Sequence, residues 1–283
     1  MQIDVAFLAG QSNGDGRAPA SGLPEPFRAE RNDVLLYSHL HGEAPNADGT
    51  LGKLGPLRPG RTQFPAGAFG PEIGIGHTLA TELSRHSPER RLAIIKYAKG
   101  GSSLYGDWRA AGARGGDDGP HYRIFKKVAR DGLDALRTLH PDARIRLRAL
   151  VWIQGESDTS AGLEIAKSYA ENLRVMIEAF RSFAKEPDLP VVVTRLSANQ
   201  LKLSAPDRPE HAPFWAVREC QDKLPSLLRG VKTVHTDGPE FSFLPDRLHF
   251  DAQGQLAIGI AVAEEIVAWD GAKFSIPSPA IGP

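Results

Sequence analysis

A single cysteine, Cys220, stands in 283 residues. No intrachain disulfide can close, and no cysteine-based metal cluster can form. The shortage of thiols suits a reducing compartment, yet many secreted bacterial enzymes also lack disulfides. Net charge is absent too, with 34 basic and 34 acidic residues and no dense Lys/Arg run. That balance offers no broad attraction to nucleic acid or to an anionic membrane surface, so neither is expected as a partner. No apolar run approaches the ~20 residues needed to cross a bilayer. The chain enters its first apolar run at Ile3 with no basic segment before it. No signal peptide is therefore expected in this chain, which suits a cytoplasmic protein or a mature secreted or periplasmic form. The Gly-Lys-Ser/Thr ending of a phosphate-binding loop is missing, and so is the three-glycine dinucleotide pattern. No cofactor and no metal are expected.

What is present is ordinary globular material, 41% hydrophobic and 24% charged, enough to bury a large single core. Five short apolar runs fall at 3–9, 92–97, 147–153, 190–196 and 231–235. Nearly continuous runs of this length suit strands buried on both faces of a parallel sheet. Helical spacing fills the intervals, over 71–86, 121–139, 163–184, 211–228 and 253–269. Pro71 and Glu72 open the first of these as proline and an acid favour a helix start. Alternating strands and helices predict an α/β fold, a three-layer, doubly wound sandwich on a five-stranded parallel sheet. Residues 13–69, rich in Gly and Pro and poor in periodicity, are expected to be an irregular insertion. The expected organisation is one domain over 1–270 and a tail over 271–283. The alternating Arg144, Arg146 and Arg148 suit the polar face of a strand.

Four segments carry groups able to do chemistry. Gly10-Gln11-Ser12-Asn13-Gly14 places a serine on a turn at the end of the first strand. An ordinary turn would have the same composition, and a serine needs an adjacent base to become a nucleophile. The segment fits the Gly-x-Ser-x-Gly elbow, but that fold requires strands and an oxyanion loop upstream of its serine, and position 12 leaves no room for them. Gly100-Gly101, after the second run, can present free backbone N–H groups to a developing oxyanion. Trp152-Ile153-Gln154-Gly155-Glu156-Ser157-Asp158 ends the third run with an amide and two acids. A solvated helix entrance capped by Ser157 or Asp158 would read the same way. Asp246-Arg247-Leu248-His249-Phe250-Asp251 precedes the last helix. His249 is suited to proton transfer, and an acid close by would fix its tautomer. Asp246 and Asp251 both compete for that place. Taken together, the segments supply a nucleophile, oxyanion donors, a base and an orienting acid, all where ligands sit in doubly wound sheets.

In this order the segments resemble the SGNH hydrolases, and more closely their carbohydrate acetylesterase branch, the sialate O-acetylesterase-like and acetylxylan-esterase-like proteins. Gly10-Gln11-Ser12-Asn13, Gly70-Pro71-Glu72, Gly100-Gly101, Trp152-x-Gln154-Gly155-Glu156-Ser157-Asp158 and Asp246-x-x-His249 carry the resemblance, and the Trp-x-Gln-Gly-Glu-Ser-Asp phrase is the most specific. The resemblance implies a flavodoxin-like fold, Ser12 as nucleophile, His249 as base and Asp246 as its partner. It implies an oxyanion hole from the N–H groups of Ser12 and Gly101 and the side chain of Gln154. Asn13 and Glu156 would organise the loop or meet substrate. The implied activity is removal of acetyl groups from O-acetylated carbohydrate, so the expected partner is a small-molecule or glycan acetyl ester. Gly14 departs from relatives, which carry an apolar residue after Ser-Asn, and Asp15-Gly16-Arg17 would add a polar contact there. The alternatives are an esterase or thioesterase for other short acyl groups and a carbohydrate-binding protein without turnover. Tyr105, Trp108 and Trp215 are candidate stacking residues for sugar rings.

Overall fold

The first strand, β1 (Gln2–Gly10), is buried from Ile3 onward and lies at the centre of the sheet. It pairs in parallel with β6 (Arg90–Ala98) on one side and with β7 (Arg144–Ile153) on the other. Beyond β7 come β8 (Val191–Thr194) and β9 (Val231–Val234), also parallel. These are the five apolar runs of the sequence. They stand in the spatial order second, first, third, fourth, fifth, the flavodoxin-like arrangement. The computed structural model describes residues 1–64, 67–112, 116–200 and 209–273.

The sheet has seven strands rather than the expected five. Both additional strands come from the stretch 13–69. β3 (Arg31–Ser38) lies parallel to β6, and β4 (Lys53–Leu57) closes the edge antiparallel to β3. Their sequences explain why they lack a strand signal. β3 starts with Arg-Asn-Asp, and β4 carries Gly55 and Pro56. β4 is the edge strand and needs only one hydrogen-bonded side, so it tolerates proline, while Arg31–Asp33 of β3 precede its register with β6, which begins at Val34. Two further short strands, β2 (Ala18–Pro19) and β5 (Ala68–Phe69), pair with each other outside the main sheet.

Alternation along β1 divides the core in two. Ile3, Val5, Phe7 and Ala9 point into a layer with α3 (Pro120–Leu139), α6 (Tyr169–Ala184) and α7 (Ala212–Leu227), through residues such as Phe125, Phe180 and Leu224. Leu8 points into the other layer, made by α2 (Glu72–His86) and α8 (Ala252–Lys273). Gly74 and Gly259 let those two helices touch: a Cβ on Gly259 would lie 2.4 Å from the Pro71 carbonyl oxygen. The helix expected over 163–184 is broken into α5 (Leu163–Lys167) and α6. At the break the Ser168 hydroxyl donates to the Ile165 carbonyl and accepts from Asn172, a local bond that competes with helix continuation. At the amino ends of the strands, fully buried Asp4 is paired with Arg90 at 2.8 Å, with Arg146 and Arg148 close by. The tail expected over 271–283 falls outside the described residues from 274 onward, and α8 runs to Lys273. No helix among the described residues is long and apolar enough to cross a membrane.

Candidate active site

The carboxyl ends of β1, β6 and β7 meet at one place, at the switch point of the strand order, and the loop before α8 reaches over them. β1 and β7 approach so closely there that a Cβ at position 10 would lie 2.0 Å from the Ile153 carbonyl oxygen. Gly10 also has φ +145°, which favours glycine. The chain then turns at once into the short helix α1 (Ser12–Asp15), whose first residue is Ser12. The Gln11 N–H donates to the Ile153 carbonyl at 2.9 Å and pins this turn to β7.

Ser12 Oγ lies 3.0 Å from His249 Nε2, and His249 Nδ1 lies 2.6 Å from Asp246 Oδ2. A carboxylate only accepts, so Nδ1 carries the proton and Nε2 presents its lone pair to the Ser12 hydroxyl. The loop brings the acid round by a tight turn. Leu244 N–H donates to the His249 carbonyl at 2.8 Å, and Arg247 takes a left-handed conformation, φ +55°. Stacked Phe243 and Phe250, 4.4 Å apart, close the base of the loop. Burial pushes the Asp246 carboxyl upward, but the His249 ring and the backbone N–H groups of His249 and Leu248 outweigh it and hold the group below its ordinary range. Asp251, the competing acid, instead accepts from Gly254 N–H at 2.9 Å and from Ser242 Oγ at 2.6 Å, and so caps α8.

Gln154 stands elsewhere than its expected place among the oxyanion donors. Its Nε2 faces three acceptors, Asp158 Oδ2 at 2.7 Å and Gln11 Oε1 and the Ser102 carbonyl at 3.1 Å each. Its Oε1 accepts from Tyr169 at 2.9 Å. The amide is buried and does not line the cavity beside Ser12. Two other amides line it, Gln11 and Gln200, and Gln11 is the one next to Ser12 in the chain. Gln11 Oε1 accepts from Gln154 Nε2, Ser157 N–H and Gly155 N–H, at 3.1, 3.2 and 3.4 Å. Those three donors fix which end of the amide is oxygen. Gly101 reaches the same cavity on a turn with φ +72°. Asp158 holds that turn from behind by accepting the N–H groups of Leu104 at 2.7 Å and Tyr105 at 2.9 Å. Burial raises the Asp158 carboxyl against the pull of these bonds. Neither Ser157 nor Asp158 makes a side-chain cap on α4 (Glu156–Thr159).

Asn13 and Glu156 lie together. Asn13 Nδ2 donates to Glu156 Oε1 at 2.6 Å and to the Leu248 carbonyl at 3.1 Å, while its Oδ1 accepts Phe250 N–H. Gln200 repeats the first two contacts, at 3.1 and 3.0 Å. Gln200, a residue of the loop after β8, belongs to no motif and carries no sequence signal. The cavity has a volume of about 410 Å³ and is lined among others by Ser12, Arg17, Gly101, Glu156, Phe214 and His249. The three aromatic residues considered for sugar stacking are not among its lining. Trp108 is fully buried and donates to Ser102 Oγ, and Trp215 packs against Arg218.

Beneath α1 lies a buried charged group. Lys96 Nζ donates to Glu72 Oε2 at 2.8 Å and to the Asp15 carbonyl at 2.5 Å. Burial lifts the Asp15 carboxyl to about 6 despite Lys96 and the Gln63 N–H. No group of three or more His, Cys, Asp or Glu among the described residues is placed to hold a metal ion.

Comparison with known proteins agrees with the fold. Solved structures with similar folds include an Arabidopsis thaliana protein, 20% identical, with TM-score 0.69 over 94% of this chain and 98% of that one. NanS is 17% identical, with TM-score 0.65 over 96% and 98%. A carbohydrate acetylesterase from Xanthomonas citri is 19% identical, with TM-score 0.60 over 95% of this chain and 57% of that one. No curated protein sequence matches the chain. The family described as carbohydrate esterase, sialic acid-specific acetylesterase, matches residues 2–268. The chain belongs to that family and is a carboxylic ester hydrolase.

Proposed function

We propose that the protein removes acetyl groups from O-acetylated carbohydrate through a Ser12–His249–Asp246 acyl-enzyme mechanism, carried by one esterase domain over 1–270. The observation that carries this reading is the hydrogen-bonded line from Ser12 Oγ through His249 to Asp246, at 3.0 and 2.6 Å. His249 Nε2 takes the Ser12 proton while Oγ bonds to the acetyl carbon, and the carbonyl becomes an oxyanion. Asp246 stabilises the imidazolium without taking its proton. The tetrahedral intermediate collapses as His249 gives that proton to the sugar oxygen, the C–O bond breaks and the alcohol leaves. Water then repeats the sequence on the acetyl-serine, releasing acetate and restoring the Ser12 hydroxyl.

The donors proposed for the oxyanion are the N–H groups of Ser12 and Gly101 and the side-chain NH2 of Gln11. All three residues border the cavity. Gln154 supports them by fixing the Gln11 oxygen. A volume of about 410 Å³ suits an acetylated monosaccharide unit. The family description, which names sialic acid, adds a sugar ester as the substrate class.

Hydrolysis of 4-nitrophenyl acetate by the wild type beside Ser12→Ala tests this reading. Turnover by the wild type and a fall of at least ~10⁴-fold in the folded variant is the expected result. Equal rates for the two proteins would overturn it.

A further inference from the structure

The buried pair Lys96 and Glu72 takes no part in the proposed reaction. Lys96 stands in β6 beside Leu8 of β1, between apolar core residues, and is 2% exposed. An ammonium group there costs free energy unless it is paired and fully hydrogen-bonded. Nζ meets Glu72 Oε2 at 2.8 Å, the Asp15 carbonyl at 2.5 Å and the Arg61 carbonyl at 3.2 Å. Glu72 is itself fully buried, and its Oε1 accepts the Gly70 N–H at 3.0 Å. A buried ion pair adds little net stability over apolar residues of the same size, so stability alone does not account for this one.

The Asp15 carbonyl points to another role. Asp15 closes α1, the single turn that opens with Ser12. A single turn has little stability of its own, so its place is set by what holds its ends. The Gln11 N–H bond to the Ile153 carbonyl holds the front, and Lys96 holds the back. The Gly16 N–H donates to the Ser12 carbonyl at 2.8 Å, which ties the backbone of the nucleophile into the turn that Lys96 grips. Gly70 packs against the same carbonyl: a Cβ there would lie 2.6 Å from the Asp15 carbonyl oxygen.

We propose that Lys96, with Glu72 as its counter-charge, is a positioning residue for the nucleophile: by holding the Asp15 carbonyl it sets the distance from Ser12 Oγ to His249 Nε2. The proposal rests on the esterase reading above. Lys96 does not line the cavity, so it acts through α1 and not on substrate. A displacement of ~1 Å caused far from the chemistry can slow a reaction about 100-fold. The cavity walls stay in place, so the loss belongs to kcat rather than to KM.

The test compares kcat and KM for 4-nitrophenyl acetate across variants, with thermal unfolding as the control. Lys96→Met/Glu72→Gln removes both charges and keeps an acceptor for the Gly70 N–H. It should melt within a few degrees of wild type, with kcat reduced at least ~10-fold and KM within about threefold. Glu72→Gln alone leaves the Lys96 donor on the Asp15 carbonyl, so its kcat should stay at least roughly fivefold above that of the double variant. Gly70→Ala keeps both charges but drives a methyl group against that carbonyl, and it should lose kcat as the double variant does; whichever of these two folds carries the test. Wild-type kcat in either folded variant, a loss confined to KM, or Glu72→Gln falling as far as the double variant would overturn the proposal. A wild type that does not hydrolyse the reporter would count against the esterase reading itself.

Discussion

Gln11→Glu separates the two jobs of one side chain. As acceptor, Gln11 Oε1 takes three N–H groups from the β7 loop, at 3.1, 3.2 and 3.4 Å. As donor, its NH2 group is proposed to hold the oxyanion. Glutamate has the same shape and keeps the acceptor, now charged, so the loop should remain in place. Its second oxygen cannot donate. Loss of one oxyanion donor costs about 100- to 1,000-fold in kcat, or ~3–4 kcal/mol. A carboxylate facing a developing negative charge adds to that cost, so the lower figure is a floor. Gln11→Ala would be the less informative change. It takes the acceptor from the Gly155 and Ser157 N–H groups, at about 1–3 kcal/mol for a buried one, and confuses loss of fold with loss of chemistry. The assay is kcat for 4-nitrophenyl acetate, with thermal unfolding as the control. A Tm within a few degrees of wild type and a kcat reduced at least ~100-fold is expected. Wild-type kcat in the folded variant would refute the donor role of Gln11 and reopen the assignment of the third donor.

Two further predictions concern acids. Asp246→Asn should fold and lose roughly 10⁴-fold in kcat, because an amide NH2 facing Nδ1 favours the tautomer that puts the proton on Nε2; a loss below tenfold would show that Asp246 does not orient His249. Asp15→Asn addresses stability. Burial lifts this carboxyl from 3.8 to about 6, so its favourable contribution is complete below pH 4 and lost as pH rises through 6. The ionised group then costs up to about 3 kcal/mol at pH 8. Asn keeps an acceptor for the Gln63 N–H, so the variant should melt higher than wild type at pH 8, with the gap closing by pH 4. A lower melting temperature at pH 8 would contradict this.

The five central strands were legible because each is buried on both faces, which removes polar residues from the run. β3 and β4 escaped for the opposite reason: Arg31, Asn32 and Asp33 precede the pairing of β3 with β6, and β4, at the edge, carries Gly55 and Pro56 without penalty. The site was legible as a set of segments, but the direction of a side chain is not written in spacing. Gln11 and Gln154 both stand in motifs, and only the fold shows that Gln11 lines the cavity while Gln154 does not. Asp246 and Asp251 are likewise equal in sequence. The tight turn through Arg247 brings one back onto His249, and the start of α8 claims the other. Arg17 was marked only as a polar neighbour. Its stacking on Phe64 depends on the fold that brings the two together.

The site is held by amides and carboxylates rather than by packing alone. Four segments far apart in sequence end at Glu156 Oε1 and the Leu248 carbonyl, the first accepting from Asn13 and Gln200, and the second from the same two side chains. A second knot joins Tyr169, Gln154, Asp158 and Gln11 and fixes the Gly101 turn. The first knot sets the position of His249 relative to Ser12, and the second sets the Gly101 turn relative to both. Donors placed before the reaction begins cost no reorganisation when charge develops. That requirement accounts for the buried polar groups clustered at the ends of β1 and β7, which hold the residues proposed as nucleophile, base and donors in fixed relative positions.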